Sequence, residues 1–205
     1  MTTETVISFF FASLALTIAP GPDVMYVLST SIAKGKNYGI SAAIGLSSGL
    51  LFHTTLLAFG ISAIIIKSPM LFKGIKIFGA LYLLWLAYSV FKSEASFQLK
   101  SQKITIDKPW KNIFKGLLMN ILNPKVMLFF LALFPTFINS KAGNIKLQVY
   151  TLGIISFVQA FTVFCLYAVL AASLTKFLRE STTFNLILKW LQIVVFVILA
   201  VLMLI

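Results

Sequence analysis

The sequence predicts an all-α membrane protein with about six transmembrane helices, arranged as two inverted three-helix repeats. Three observations predict it: an extreme apolar composition, six long apolar runs separated by short lysine-bearing gaps, and a proline motif that recurs half a chain away. Of 205 residues, 60% are hydrophobic and 11% charged, with a mean hydropathy of +1.00. Soluble domains are near half apolar and a quarter charged, so no soluble core would absorb this surface and the bilayer must be the solvent. The net charge of +12 comes from 17 Lys and Arg against 5 Asp and Glu. In a soluble chain that balance would suggest nucleic acid. Here the lysines fill gaps between apolar runs, where positive charge orients membrane helices, and no basic stripe or RNA-binding motif is present. No nucleic-acid partner is expected.

The apolar runs are 5–33, 38–66, 69–91, 113–138, 147–175 and 182–205. Each meets the roughly 20 residues needed to cross a hydrocarbon core about 30 Å thick. The first is not read as a signal peptide, because Glu4 precedes it and Lys and Arg do not, so the positive leader is missing. The last reaches the C-terminus without a polar tail, and a five-span form is the alternative. Cys165, the only cysteine, lies mid-run and reads as a packing residue, since one thiol makes neither an internal disulfide nor a metal cluster.

Charge sets the expected orientation. Loops one, three and five hold Lys34, Lys36, Lys92, Lys100, Lys103, Lys108, Lys111, Lys115, Lys176 and Arg179, whereas loops two and four hold Lys67, Lys73, Lys76, Lys141 and Lys146. The positive-inside rule puts the first group in the cytoplasm and both termini outside. The polar stretch 93–111, with Glu94, Asp107 and Pro109, reads as a cytoplasmic linker in a single transport domain, 1–205. It joins repeat one, 1–92, to repeat two, 112–205. Pro22-Asp23-Val24-Met25 recurs as Pro124-Lys125-Val126-Met127, 102 residues on. Three helices per half is an odd number, so the second half must run upside down. Interrupted helices at matching places of inverted repeats are the best sequence pointer to a transporter site.

The chemistry gathers at those interruptions. Asp23 is the only acidic residue inside a run. It lies about 16 Å of helix from Lys34, and Lys125 lies about 15 Å from Lys115, so both charges are expected near the midplane. An unpaired charge there costs at least about 2.5 kcal/mol, so they should face the interior and each other. Pro20, Gly21 and Pro22 predict a break in the first helix, and Asn123-Pro124 one in the fourth. Asn is a good N-cap and Pro a favoured first residue, so a half-helix is expected to start at Pro124 with its amides aimed at an anion. Lys125 is disfavoured in that first turn unless a negative group binds beside it. A zwitterionic amino acid would fit, ammonium toward Asp23 and carboxylate toward Lys125. The alternative is a permanent Asp23–Lys125 ion pair bracing two kinked helices.

His53, mid-run in the second helix, is either a packing donor or a proton relay, since an unperturbed imidazole titrates near pH 6.5. Gly45 and Gly49 are spaced for close helix approach, with Gly153 and Ser156 as counterparts in the fifth helix. Tyr82 and Gln159 are further polar candidates, and each also reads as a helix–helix hydrogen bond.

Ala19-Pro20-Gly21-Pro22-Asp23, Gly35 and the run from Gly45 to His53 resemble the opening of the lysine exporter and homoserine–threonine resistance (LysE/RhtB) family. The stretch 76–92 with Gly79 and Tyr82 resembles its third helix, and 116–137, with Asn120-x-x-Asn123-Pro124-Lys125, its fourth. The resemblance spans almost the whole chain and implies a bacterial inner-membrane secondary transporter. It would export amino acids or close derivatives by proton antiport, as a homodimer, with no cofactor beyond the coupling proton. Enzyme readings find little support: carboxylate proteolysis needs paired aspartates, a zinc protease needs HExxH, and a redox carrier needs two thiols. The alternative is a divalent-metal or other small-ion exporter. Asp23 and His53 are a thin ligand set for it, and no metal site is expected.

Overall fold

The computed structural model describes residues 1–67, 69–93, 108–139, 142–180 and 182–204; side chains at 61–67, 69, 172–180, 182 and 184 are not described. The linker segment 94–107, with Glu94, Lys100, Lys103 and Asp107, therefore lies outside the described residues. So do Lys141 and the side chains of Lys67, Lys176 and Arg179.

All regular structure among the described residues is helical. The helices are α1 (Thr3–Ile18), α2 (Pro22–Lys34), α3 (Lys36–Lys67), α4 (Pro69–Lys92), α5 (Pro109–Ile121), α6 (Pro124–Leu128), α7 (Ile145–Glu180) and α8 (Thr182–Leu204). A π-helical turn, Phe129–Leu133, and a 3-10 turn, Phe134–Phe137, continue from α6. Four helices, α3, α4, α7 and α8, hold stretches long and apolar enough to cross a membrane unbroken. Two further spans are bent pairs: α1 with α2 at 55°, and α5 with the segment from Pro124 to Phe137 at 50°. The chain is a multi-pass membrane protein, with up to six spans when each bent pair counts as one.

The helices start and stop where local chemistry says they should. Thr2 caps α1, its hydroxyl accepting from the Thr5 amide at 3.3 Å. Gly35 ends α2 at φ +94°, a left-handed conformation that glycine adopts without strain. In α6 Pro124 takes the first position and the Asn123 side chain accepts from the Lys125 amide at 3.0 Å. Pro135 has no amide to give to the carbonyl four residues back, and the helix ahead of it widens into the π turn.

Helix α3 is the hub, packing on α2, α5 and α7, while α4 pairs with α8. Backbones come close where side chains vanish. A Cβ on Gly45 would overlap the Ile113 carbonyl of α5, and one on Gly49 would overlap the Asn120 side chain. Gly153 of α7 leaves the same kind of space for Thr54 of α3. Large apolar side chains, among them Phe11, Phe59, Phe78, Leu122, Leu147 and Ile198, remain exposed on the outside of the bundle. That surface is normal against lipid and untenable in water.

Candidate functional site

Both helix breaks open onto one cavity of about 290 Å³. Its floor is Pro20, Gly21, Pro22, Asn123, Pro124 and Lys125. One wall is α4, with Tyr82, Leu86, Ser89 and Val90, continued by Ser93 just past its end, and the other is α8, with Gln192 and Phe196. Tyr82 and Ser93 are separated by about 16 Å of helix. The cavity thus runs from mid-depth to the end of α4 that leads into the 94–107 segment.

Each break is completed by the other. Breaking a span after Ile18 strands the last carbonyls of α1, which no helical amide reaches. The Lys125 ammonium donates to two of them, Leu16 O at 2.9 Å and Ala19 O at 3.2 Å. The Tyr167 hydroxyl of α7 donates to a third, Ile18 O, at 3.3 Å. In return, Asn123 Nδ2 donates to Asp23 Oδ2 at 2.8 Å. Asp23 belongs to the first turn of α2, where the helix dipole favours a negative charge. Lys125 stands in the first turn of α6, where its own dipole disfavours it. The negative C-terminal end of α1 supplies the compensation that the sequence had left to a bound anion.

Asp23 and Lys125 are both buried, at 4% and 6% exposure, and they come to the same junction, but each takes a partner other than its opposite charge. Asp23 does not line the cavity. Its Oδ1 is buried without a hydrogen-bond partner. Lys125 does line it, and two of the three protons of its ammonium are engaged, leaving one.

His53 and Asn120 sit elsewhere. His53 Nε2 lies 3.4 Å from the Asn120 backbone carbonyl, and the ring stacks on Phe130 at 5.3 Å. His53 lines a separate, apolar cavity with Leu57, Met127 and Phe130. The Asn120 side chain is packed against Gly49 and its Oδ1 is unpartnered. Gln159 Nε2 donates to Thr17 Oγ1 at 3.4 Å, and Ser13 Oγ donates to Ser156 Oγ at 3.2 Å, so both α7 residues tie that helix to α1.

Two features were not read from the sequence. One is Gln192, an amide ten residues into the most apolar helix, whose mere presence there was the available signal. The other is an aromatic seam in which Phe9 meets Phe134 at 4.8 Å and Phe137 at 5.3 Å, and Phe130 stacks on Phe134 at 5.0 Å. The seam lies between the mid-depth cavity and a polar surface pocket lined by Glu4, Thr5, Ser8, Thr136 and Asn139. Among uniformly apolar residues nothing distinguishes these rings from those facing lipid.

Residues 14–205 match the family model described as LysE type translocator. The chain belongs to that family. Among its relatives is an uncharacterized membrane protein of Bacillus subtilis, 36% identical over 67% of this chain and 69% of its own length. A homoserine/homoserine lactone efflux protein of Salmonella typhimurium is 28% identical over 87% of this chain and 86% of its own. A threonine efflux protein of Escherichia coli is 24% identical over 85% and 84%. No solved structure matches.

Proposed function

We propose that this LysE-family chain exports amino acids or close derivatives from the cytoplasm by proton antiport and is not an enzyme. The observation that carries the reading is the cavity in which residues of both helix breaks meet Lys125. At about 290 Å³ it lies just below the range usual for drug-sized ligands, and so suits a small solute. Lys125 takes the substrate carboxylate with its remaining N–H. Asp23, outside the lining, is assigned to coupling: Oδ1 accepts the proton while Oδ2 keeps Asn123. The efflux names of the Salmonella and Escherichia relatives support the amino-acid class.

The protein works in this reading as a homodimer in the bacterial inner membrane, with both termini extracytoplasmic and the central linker inside. An inverted relation of the two halves is part of it. Exchanging the halves maps the α3–α7 and α4–α8 pairings onto themselves, and α3–α5 onto the packing of α7 against α1 and α2. The divalent-metal alternative would need a converging set of ligands, and no group of three or more His, Cys, Asp or Glu gathers among the described residues.

The test exchanges the charges. Asp23→Asn and Lys125→Gln should each abolish export while the protein still reaches the membrane, and Asp23→Lys with Lys125→Asp should not rescue it. Export is followed by intracellular amino-acid profiling of a deletion strain fed dipeptides, with membrane abundance measured alongside. A charge-exchanged protein exporting at near wild-type rate would refute the binding role and leave a brace.

A further inference from the structure

We infer that Tyr82 and Gln192 are the specificity-determining residues of this cavity, and that they select a zwitterion whose side chain carries no charge. The inference rests on the cavity being the substrate site. Tyr82 is about 15 Å of helix from Lys92 at the end of α4, and Gln192 about 15 Å from the start of α8. Both therefore lie at mid-depth, level with the breaks, on the paired helices that wall the cavity.

What singles them out is that neither is spent on the fold. The other polar side chains of the lining are committed. Asn123 caps α6 and holds Asp23, and two of the three protons of the Lys125 ammonium are engaged. The Ser89 hydroxyl donates to Trp85 O at 2.8 Å and that of Ser93 to Val90 O at 2.8 Å. The Tyr82 hydroxyl and the Gln192 amide make no hydrogen bond to any described residue, although both side chains are half-buried and line the cavity. Gln192 sits in a span of mean hydropathy 2.6. An amide held in such a helix without a protein partner is costly, and a cargo that both donates and accepts removes that cost. The amide offers two donors and an acceptor, and the phenol one of each, which suits an ammonium or a hydroxyl.

Charge narrows the class further. Among the described residues, Lys125 is the only charged one in the lining, and no Asp or Glu is found there. A substrate carboxylate finds its counter-charge there, but a second cation on the side chain would meet that same ammonium with no carboxylate among the described lining residues to offset it.

Purified protein in proteoliposomes, assayed by counterflow of labelled threonine, valine and lysine, tests this directly. Wild-type protein is expected to exchange threonine and valine at least tenfold faster than lysine. Gln192→Glu should raise lysine relative to threonine about tenfold or more. Gln192→Leu and Tyr82→Phe should lower threonine relative to valine by up to about tenfold, the factor equivalent to one hydrogen bond of ~1.4 kcal/mol. Tyr82→Phe removes a single oxygen and keeps the assay open should the Gln192 variants fail to reconstitute. An unchanged ranking in Gln192→Glu and Tyr82→Phe, with Lys125→Gln inactive, overturns the assignment while leaving the cavity as the site. Full counterflow by Lys125→Gln removes the site and this inference together. Wild-type preference for lysine overturns the substrate class.

Discussion

The two helix breaks look alike in sequence and differ in how they are held. The first is wide and not capped by its own residues: Gly21 precedes α2 with no side chain to offer, and stranded carbonyls at the end of α1 are met by Lys125 and Tyr167 from other helices. The second is tight and self-capped, with Asn123 closing α6, and its irregularity is passed on to the π and 3-10 turns. One break therefore donates and the other receives. The lesson is that the motif's asymmetry, Asp in one copy and Lys in the other, is what lets two broken helices complete each other.

The sharpest way to break that comparison is Asn123→Ala. It removes the cap of α6 and the partner of a buried carboxylate at once. A loss of about 3 kcal/mol or more is expected, read as a lower melting temperature in detergent and reduced membrane abundance. An unchanged melting temperature would mean the breaks stand independently. Gly45→Ala should follow, at about 1–3 kcal/mol, because its methyl meets the Ile113 backbone, which cannot swing aside as a flexible side chain would. Tyr167→Phe frees only Ile18 O from its bond and should cost about 1 kcal/mol by the same melting measurement. Lys125→Met, which frees two α1 carbonyls, should exceed it. Gly74→Ala is the control. A Cβ there meets open space, so its melting temperature should stay within the equivalent of about 0.5 kcal/mol of wild type.

The features legible in the sequence were those written in special residues. Pro20, Gly21 and Pro22, and Asn123 with Pro124, fall at the two observed bends, and the apolar runs match the observed helices to within a few residues apart from those interruptions. Gly45 and Gly49 mark a close helix approach as expected. What stayed hidden was rotation. In a bilayer, lipid-facing and core-facing positions are equally apolar, so no amphipathic stripe tells which way a helix turns. That is why the partners of Asp23 and Lys125, the inward face of Gln192 and the gathering of Phe9, Phe130 and Phe134 were not readable. Lys125 shows the same limit in another form. Charge alone pointed to Asp23, whereas the stranded carbonyls of a neighbouring helix were an equally negative destination that composition does not record.

The aromatic seam has an electrical consequence. Phe9, Phe129, Phe130 and Phe134 are at most 2% exposed, so among the described residues the seam between the cavity and the polar pocket is packed as a dry layer. A membrane potential concentrates across such a dry layer instead of falling evenly through a core of roughly 30 Å. Each elementary charge carried through it is worth about 2.3 kcal/mol per 100 mV. Under the proton antiport proposed above, a zwitterion leaving against one entering proton carries one net charge inward and draws on that field. A cation exchanged for one proton moves no net charge and gains nothing from it, so the potential drives the two kinds of cargo differently before any side chain has touched them.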